Sequence, residues 1–439
     1  MIAPYYERAG VTLYRGDCRD VLASMDECSI DAIVTDPPYG IGFMGKGWDN
    51  AGVAYDVKTW AAALRVLKPG GYLVAFGAPR THHRLTVAIE DAGFEIRDVL
   101  MWLFGSGFPK SLDVSKAIDK AAGAEREIVG SKLGQPGYSV ANNAKNERAA
   151  YGRFEGDETA ITAPATEAAA TWAGWGTALK PAYEPIVLAR KPLRGTVAAN
   201  VGAYGTGGLN IDGCRIGDEP ITQHGRGDSL NVAMENPNYA EPAGRAWSGR
   251  WPANVLLDTE AAQVLDLQSG QLTSGSGEPF NRNADKFRNT YSTFEGRPAE
   301  QGFYGDTGGA SRFFYTAKTS RSEREFGLDD MEPTRRSDGR KTEHNVPNLR
   351  TNERRNDHPT VKPVDLMRWL CRLVTPPNGV VLDPFLGSGS TGMAALDEGF
   401  RFIGVDLDAH YLDIAKSRIT RRHLIEPMPS PLSGQGALI

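Results

Sequence analysis

The chain has 439 residues, of which 41% are apolar and 23% charged, and its 49 Lys+Arg against 54 Asp+Glu give a formal net charge of −5. That length predicts two or three domains, or one large domain with an insertion. The slightly acidic balance gives no support for nucleic-acid binding, which needs only a local basic face and not a basic total. The four cysteines form no CxxC pair, which predicts a protein without disulfides or a metal site. The sequence has no membrane-length apolar run and no signal-peptide core, so we predict a cytoplasmic protein without a membrane partner.

The first 120 residues read as alternating short strands and helices. Buried strands are predicted at 30–34, 71–77 and 94–104, and helices at 57–67 and 81–92. The Lys68-Pro69-Gly70-Gly71 segment is predicted to end the first of these helices. This alternation predicts an α/β fold, in which a parallel sheet is covered by helices on both faces.

Residues 120–355 lose this alternation. An Ala-rich stretch at 158–173 precedes one more predicted strand at 185–191. From about residue 195 the sequence is rich in Gly, Asn, Ser and Arg, and short apolar islands at 250–258 and 312–318 interrupt it. The segment is too polar to form a large core of its own, so we predict an irregular insertion.

The alternation returns at residue 356. Helices are predicted at 364–374, 392–399 and 409–419, with strands at 379–385 and 401–408, and a frayed tail follows Pro427. The second half of the predicted sheet therefore comes from the end of the sequence.

A glycine-rich loop connects the strand at 379–385 to the next helix. Gly387, Gly389 and Gly392 have the G-x-G-x-x-G spacing, and Asp406 ends the following strand. Such a loop lets a ligand approach the backbone at a helix N-terminus, and an acid at that distance can accept hydrogen bonds from both hydroxyls of a ribose. The loop predicts a nucleoside site but leaves the ligand open, NAD included.

The tetrapeptide Asp36-Pro37-Pro38-Tyr39 directly follows the strand at 30–34. A carboxylate, a proline carbonyl and an aromatic ring at the carboxyl end of a strand suit a planar base that bears an exocyclic amine. Asp36 and Pro37 would each accept one N–H, and Tyr39 would stack on the base. The alternative is a rigid Pro-Pro turn in which Asp36 only caps the backbone. The presence of a glycine loop in the same sequence makes this alternative the weaker one.

These motifs together resemble those of the amino-group DNA methyltransferases, which use S-adenosylmethionine to methylate adenine N6 or cytosine N4. The order of the motifs is similar to the beta group of that family, and the resemblance covers residues 10–120, 176–195 and 356–420. It implies a Rossmann-like α/β methyltransferase fold with a mostly parallel, order-permuted sheet and a large irregular insertion.

The resemblance also implies site residues. Asp36, Pro37, Pro38 and Tyr39 are the expected catalytic residues. The expected cofactor-binding residues are Asp17, Thr360, Lys362, Asp383, Phe385, Gly387, Gly389, Ser390, Thr391 and Asp406. Asp17 matches the residue that meets the cofactor adenine, and Phe385 matches the Phe of the family's glycine loop.

Three of these residues also have readings from their own chemistry. Thr360 and Lys362 precede a helix N-terminus, so a hydroxyl, an ammonium and free N–H groups would suit the carboxylate of methionine. Asp383 either meets the ligand or accepts hydrogen bonds that fix the glycine turn. His358, in the HPTVKP segment, is expected to have no ionisable role.

The predicted domains follow from this order of motifs. Residues 1–195 form a catalytic half that contains an irregular insertion at 120–175. Residues 196–355 form a DNA target-recognition insertion, 356–425 the cofactor-binding half and 426–439 a tail. The segment 40–49 is a candidate lid, and its Phe43 and Trp48 either wall the flipped base or belong to the local core. Basic residues at 335–336, 340–341 and 354–355 either contact phosphates or form a mixed-charge linker.

The predicted reaction is methylation of adenine N6 in double-stranded DNA, because Asp rather than Ser opens the Pro-Pro-Tyr motif. Cytosine N4 is the nearest alternative, and RNA or protein methylation and a catalytically dead DNA-binding module are two more distant ones. A homodimer and a cognate restriction endonuclease are the further partners that the resemblance leaves open.

Overall fold

The computed structural model of the chain describes residues 2–41, 52–107, 111–131, 160–223, 245–273, 306–317, 321–335 and 353–425. The strands are β1 (Tyr6–Arg8), β2 (Val11–Arg15), β3 (Ile30–Thr35), β4 (Leu67–Phe76), β5 (Glu95–Leu103), β6 (Ile128–Ser131), β7 (Ala160–Thr162), β8 (Tyr183–Arg190), β9 (Ile216–Gln223), β10 (Arg245–Arg250), β11 (Val255–Asp258), β12 (Leu272–Thr273), β13 (Thr307–Gly308), β14 (Tyr315–Ala317), β15 (Thr334–Arg335), β16 (Glu353–Arg354), β17 (Val380–Asp383) and β18 (Arg401–Asp406).

The helices are α1 (Cys18–Ser24), α2 (Val57–Val66), α3 (His82–Asp91), α4 (Val114–Ala121), α5 (Glu167–Thr171), α6 (Val197–Tyr204), α7 (Thr259–Ser269), α8 (Arg321–Glu325), α9 (Val364–Val374), α10 (Ser390–Asp397) and α11 (Ala409–Ile425). Short 3-10 helices lie at Val53–Tyr55, Asp212–Cys214 and Ala310–Phe313.

One ten-stranded sheet organises the described residues, in the order β1-β2-β18-β17-β3-β4-β8-β5-β11-β14. Neighbouring strands are parallel except at the β1–β2, β4–β8 and β8–β5 pairs. β17 and β18, which come late in the chain, lie inside the sheet between β2 and β3. The predicted mostly parallel and order-permuted α/β sheet is therefore confirmed.

Helices cover both faces of this sheet, as the alternation predicted. Val74 and Phe76 of β4 pack into the hydrophobic cluster that contains Trp369 of α9, whereas Leu73 and Ala75 pack into the cluster that contains Trp60 of α2. Successive side chains of a strand point to opposite faces, so this division is what a sheet buried on both sides requires.

The prediction of an irregular insertion at 196–355 is wrong for two short segments. β11 pairs in parallel with β5, and β14 pairs in parallel with β11, so both extend the main sheet. Leu256 of β11 and Ala317 of β14 are fully buried. Both strands lie in the apolar islands at 250–258 and 312–318, which are too short to indicate a strand by themselves, and they are stable here because the existing sheet supplies their partner.

Two smaller differences concern the first half of the chain. The predicted helix stop at Lys68–Gly71 belongs to β4, which begins directly after α2 ends at Val66. The predicted irregular segment 120–175 contains the antiparallel pair β6–β7 and the helix α5 in its described part. The predicted functional division into domains stays a prediction.

Candidate active site

A cavity of about 1250 Å³ opens at the carboxyl ends of β3, β17 and β18. Thirteen of the fourteen predicted site residues line it, namely Asp17, Asp36, Pro37, Pro38, Tyr39, Thr360, Lys362, Asp383, Phe385, Gly387, Ser390, Thr391 and Asp406. The sequence separates these residues by more than 300 positions, and the permuted sheet brings them to one edge. Carboxyl ends of parallel strands are where open α/β sheets bind their ligands.

Asp36 lies at the centre of a network of charged and polar groups. The Lys362 ammonium donates to Oδ2 of Asp36 at 2.7 Å, and the Tyr39 hydroxyl donates to Oδ1 at 2.8 Å. Glu184 joins the network, because its Oε2 lies 3.2 Å from the Lys362 Nζ and 3.2 Å from the Tyr39 hydroxyl. Asp36 is thus held from two sides by groups of this chain.

The electrostatics of the network keep Lys362 charged. Burial disfavours an ammonium, but the carboxylates of Asp36 and Glu184 outweigh that penalty and raise the pKa of Lys362 above its usual value. Burial, with the nearby Asp36 charge, raises the pKa of the Tyr39 hydroxyl well above its usual value. Tyr39 therefore remains a neutral hydrogen-bond donor, and Lys362 remains a cation opposite two carboxylates.

Asp383 holds the start of the glycine loop. Its carboxylate accepts from the hydroxyls of Thr35 and Thr391, each at 2.6 Å, and from the backbone N–H of Phe385 at 3.0 Å. Burial raises the pKa of Asp383 to about 6 despite these bonds. Of its two readings, the contacts of this carboxylate match the acceptor that fixes the turn.

Asp406 closes the other side of the loop. Its Oδ2 accepts from the Gly387 N–H at 2.8 Å, and its Oδ1 accepts from the Asp408 N–H at 2.9 Å. A carboxylate has about four lone-pair sites, so each oxygen keeps capacity toward the cavity that the residue lines. Burial raises the pKa of Asp406 to about 6.

The two central glycines of the loop do different work. Gly387 lines the cavity at a φ of 52°, and a Cβ added there would lie 2.8 Å from Nε2 of His358. Gly389 does not line the cavity, and a Cβ there would lie 2.9 Å from the backbone Cα of Ala415 in α11. The lack of a side chain at Gly389 allows the close approach of a helix, and the predicted place of Gly389 in the ligand site stays a prediction.

His358 and Asp17 have partners within the chain. The buried His358 ring bonds through Nδ1 to the Thr360 carbonyl at 2.8 Å, and burial lowers its pKa to about 4. A neutral ring agrees with the expectation that it has no ionisable role. Asp17 caps α1 by accepting from the Arg19 N–H at 2.9 Å, and the Arg19 guanidinium lowers the pKa of its carboxyl.

Glu184 is the residue that the sequence prediction missed. It lies in β8, whose apolar run was recognised, but a run of apolar residues does not reveal the direction of a strand. β8 is antiparallel to β4, so the amino end of β8 lies beside the carboxyl ends of the parallel strands. The Tyr-Glu-Pro sequence that precedes the apolar run was the only available signal.

Several predicted contacts lie outside the described residues. These are Phe43 and Trp48 of the candidate lid, and Arg336, Arg340 and Lys341. Arg355 is described, and it binds its own chain, because its N–H donates to Glu325 at 2.9 Å and its Nε to the Met331 carbonyl at 3.0 Å. Within the described part of the chain, no three His, Cys, Asp or Glu residues are grouped to hold a metal ion, and no helix could span a membrane.

Comparisons with known proteins point to one family. A family model of N6/N4 methyltransferases, described as DNA methylase, matches residues 30–122 and 173–417. The type II methyltransferase M2.DpnII of Streptococcus pneumoniae is 45% identical over 62 residues, which are 14% of this chain and 23% of that protein. M.HinfI of Haemophilus influenzae is 34% identical over 84 residues, which are 19% of this chain and 23% of that protein.

The chain thus spans about a quarter of the length of these curated relatives. Among solved structures, the cytosine-N4-specific PvuII DNA methyltransferase is similar over 95% of this chain and 89% of that one, with 13% identity and a TM-score of 0.42.

Proposed function

We propose, since this chain belongs to the N6/N4 DNA methylase family, that it transfers a methyl group from S-adenosylmethionine to the exocyclic amine of a base flipped out of double-stranded DNA. The observation that carries the proposal is the shared cavity, in which the Asp36 carboxylate faces the glycine loop of residues 385–391. One half of the cavity suits an amine, and the other half suits a nucleoside.

The cavity fits the cofactor by size and by the chemistry of its walls. Its volume of about 1250 Å³ exceeds the roughly 300–1,000 Å³ of most ligand pockets, so it has room for a cofactor and a base together. Asp406 offers acceptors for ribose hydroxyls beside Gly387, where a ligand can approach the backbone. Asp17, Phe385, Ser390 and Thr391 are the other residues that would surround the cofactor. When bound, S-adenosylmethionine supplies an electrophilic methyl group on a sulfonium.

The residues at the Asp36 end would bind and orient the amine. Asp36 and the Pro37 carbonyl each accept one N–H, and the ring of Tyr39 stacks on the base. With both N–H groups held, the nitrogen lone pair points toward the methyl group. The rate would come from this positioning and from acceptors fixed where the nitrogen gains positive charge.

The contacts of Lys362 support a different role from the one predicted. Its ammonium bonds to Asp36 and lies 4.9 Å from the centroid of the Phe76 ring. We propose that Lys362 holds the Asp36 carboxylate in place before the amine binds, through their 2.7 Å contact, while Thr360 remains the proposed partner of the methionine carboxylate.

Adenine N6 is the proposed target, because Asp rather than Ser opens the Pro-Pro-Tyr motif. Cytosine N4 is the alternative, since its exocyclic amine would use the same acceptors. Residues 196–355, apart from the strands that join the main sheet, are the proposed DNA target-recognition segment. The homodimer and the cognate endonuclease stay predictions.

Mass spectrometry of methylated DNA tests the proposal. The protein is incubated with isotopically labelled S-adenosylmethionine and unmethylated DNA, and the DNA is digested to nucleosides. Labelled N6-methyladenine is the expected product, and labelled N4-methylcytosine would support the alternative target. Cofactor binding by calorimetry without any labelled nucleoside would overturn the DNA reaction and favour an RNA or protein substrate.

A further inference from the structure

The charges around Asp36 do not balance. Asp36 and Glu184 contribute two carboxylates and Lys362 one ammonium, and their side chains are only 18%, 22% and 8% exposed. Both carboxylates contact the same Lys362 Nζ, at 2.7 and 3.2 Å. The group as a whole therefore has one excess negative charge beside the place proposed for the reacting amine.

Lys362 competes with the amine for the carboxylate that the reaction needs. Its ammonium sits on Oδ2 of Asp36, the carboxylate proposed to accept an amine N–H. The Glu184 carboxylate already lies 3.2 Å from the same ammonium, so Lys362 could pair with Glu184 instead of Asp36 after only a small displacement of Nζ. The Tyr39 hydroxyl lies between the two carboxylates, within 3.2 Å of an oxygen of each.

We infer that Glu184 is a positioning residue that takes over Lys362 when Asp36 engages the amine. In this arrangement the negative charge of Glu184 leaves Asp36 free to accept and leaves one net negative charge to stabilise the nitrogen as it becomes positive. Coulomb interactions over such distances in a partly buried site are large enough to change rates. The inference rests on the proposed methyl transfer to an amine.

Glu184→Gln tests the inference, since it keeps the shape of the side chain and removes its charge. Lys362 would then stay on Asp36, and we expect the single-turnover methylation rate to fall by roughly tenfold to a hundredfold. The dissociation constant of S-adenosylmethionine should change less than about twofold. Glu95→Gln is the matched control, because Glu95 pairs with Arg190 on the same sheet away from the cavity.

A double variant separates positioning from mere structural support. Glu184→Gln with Lys362→Met restores the single net negative charge and clears Oδ2 of Asp36, so it should regain at least about tenfold in rate over Glu184→Gln. Glu184→Asp, which keeps the charge with a shorter reach, should lie between wild type and Glu184→Gln.

Three outcomes would overturn the inference. They are a Glu184→Gln variant within threefold of the wild-type rate, a folded double variant no faster than Glu184→Gln, and a Glu184→Asp variant as slow as Glu184→Gln. If the wild-type protein itself makes no methylated base, the proposed function fails first. A loss confined to the Glu184 variants bears on this inference alone.

A second observation concerns residues 177–182, which line the cavity and which we call the rim loop. Leu179 in this loop is 92% exposed although it lines the cavity, and two exposed tryptophans, Trp172 and Trp175, precede the loop. The loop is nevertheless anchored. Ser111 Oγ accepts from the Thr177 N–H at 2.9 Å, and Lys180 Nζ donates to the Gly105 carbonyl at 2.7 Å.

Leu179 is held in water by an anchored loop at the mouth of the cavity. An exposed apolar side chain in that position suits a partner that covers the mouth. The geometry points to duplex DNA as that partner, with Leu179 inserted into the gap that the flipped base leaves. An apolar side chain inserted between bases can offset part of the free energy lost when a base leaves the stack. This inference also rests on the proposed function, but it depends on exposure at the rim and not on the charges around Asp36.

Duplexes with paired and mispaired target bases test the role of Leu179. The target sequence is first read from DNA that the wild-type protein has methylated. Leu179→Ala should then lose about tenfold or more on the paired duplex and less than threefold on a duplex whose target base is mispaired, since that base is already unstacked. Leu267→Ala is the control, because Leu267 is 85% exposed and does not line the cavity. Equal losses on both duplexes, or none on either, would overturn the assignment.

Discussion

In the proposed reaction Asp36 accepts hydrogen bonds from the amine, so the orientation of its carboxylate matters. Lys362 and Tyr39 set that orientation in the free protein, since each holds one oxygen of the carboxylate. Neither contact comes from the glycine loop, whose own acid, Asp383, is held by the hydroxyls of Thr35 and Thr391. The two ends of the cavity should therefore respond separately to substitution.

Replacing Asp36 with Ala should abolish methyl transfer, with a loss of at least about 10³-fold, because the main acceptor of the amine is removed. The affinity for S-adenosylmethionine should remain within a few fold of wild type. Labelled-methyl incorporation and calorimetry measure the two effects on the same preparation. Activity that survives the substitution would show that another residue holds the amine.

Asp406 should make cofactor binding depend on pH. Its pKa of about 6 leaves it mainly charged at pH 7.5 and mainly protonated at pH 5, so affinity for S-adenosylmethionine should fall by about tenfold over that range. Asp406→Asn should bind weakly at both pH values and flatten the dependence. Calorimetry at the two pH values tests this, and an Asp406→Asn variant with the wild-type profile would contradict it.

The same raised pKa has the opposite effect on the free energy of unfolding. The folded apo protein holds the Asp406 proton more tightly than the unfolded chain, whose Asp residues titrate near 3.9. This group therefore contributes stability that grows as the pH falls from about 6 toward 4 and is lost as the pH rises through 6. Asp383, with a pKa of about 6, contributes in the same direction.

Among the elements, the glycine loop contains one glycine, Gly387, whose substitution should affect mainly cofactor binding, and another, Gly389, whose substitution should affect mainly stability. Gly387→Ala places a methyl group against the His358 ring at a positive φ on the cavity wall, so it should weaken cofactor binding at least tenfold. Gly389→Ala places one against the backbone of α11, so it should lower the melting temperature by several degrees, from a cost of about 1–3 kcal/mol.

Thermal melts and cofactor titrations of both glycine variants test this separation. Gly389→Ala should lower the melting temperature more than Gly387→Ala does. Gly387→Ala should lose more affinity for S-adenosylmethionine for each degree by which its melting temperature falls. The reverse ranking would show that Gly389, and not Gly387, is the residue that a ligand approaches.

The elements that the sequence predicted are those whose signal is local. The strand before Asp36, the strand and helix around the glycine loop, and the acid at Asp406 each follow from a short motif, and the structure confirms their secondary structure. Glu184 was missed because its role depends on the antiparallel direction of β8, which no periodicity encodes. β11 and β14 were missed because their stability comes from pairing with β5 and not from their own few residues.

At the scale of the whole molecule, residues 196–355 cannot be treated as a separable appendage. Leu256 and Leu257 of β11 are buried against the sheet, and their burial contributes about 3–6 kcal/mol, against a total of about 5–15 kcal/mol for a typical protein. Replacing residues 196–355 with a short Gly/Ser linker should therefore prevent stable folding.

Circular dichroism and thermal melts test this deletion. Leu267→Ala, at an exposed position of α7 in the same segment, is the control and should melt close to the wild type. A cooperative, wild-type-like melt of the deletion would show that β11 and β14 are dispensable.

The permuted sheet also sets an order of events during synthesis. The centre of the sheet joins β3 to β17, and Asp31 accepts from the Val380 N–H at 2.8 Å across 349 positions. At about 5–20 residues per second, a ribosome releases β17 roughly 20–70 s after β3. Until then β3 lacks its neighbour on one side, and the turn that carries Asp36 has no glycine loop to face. Contacts this distant in sequence make folding slow, so the chain should depend on chaperones during translation and become competent only once its last quarter has emerged.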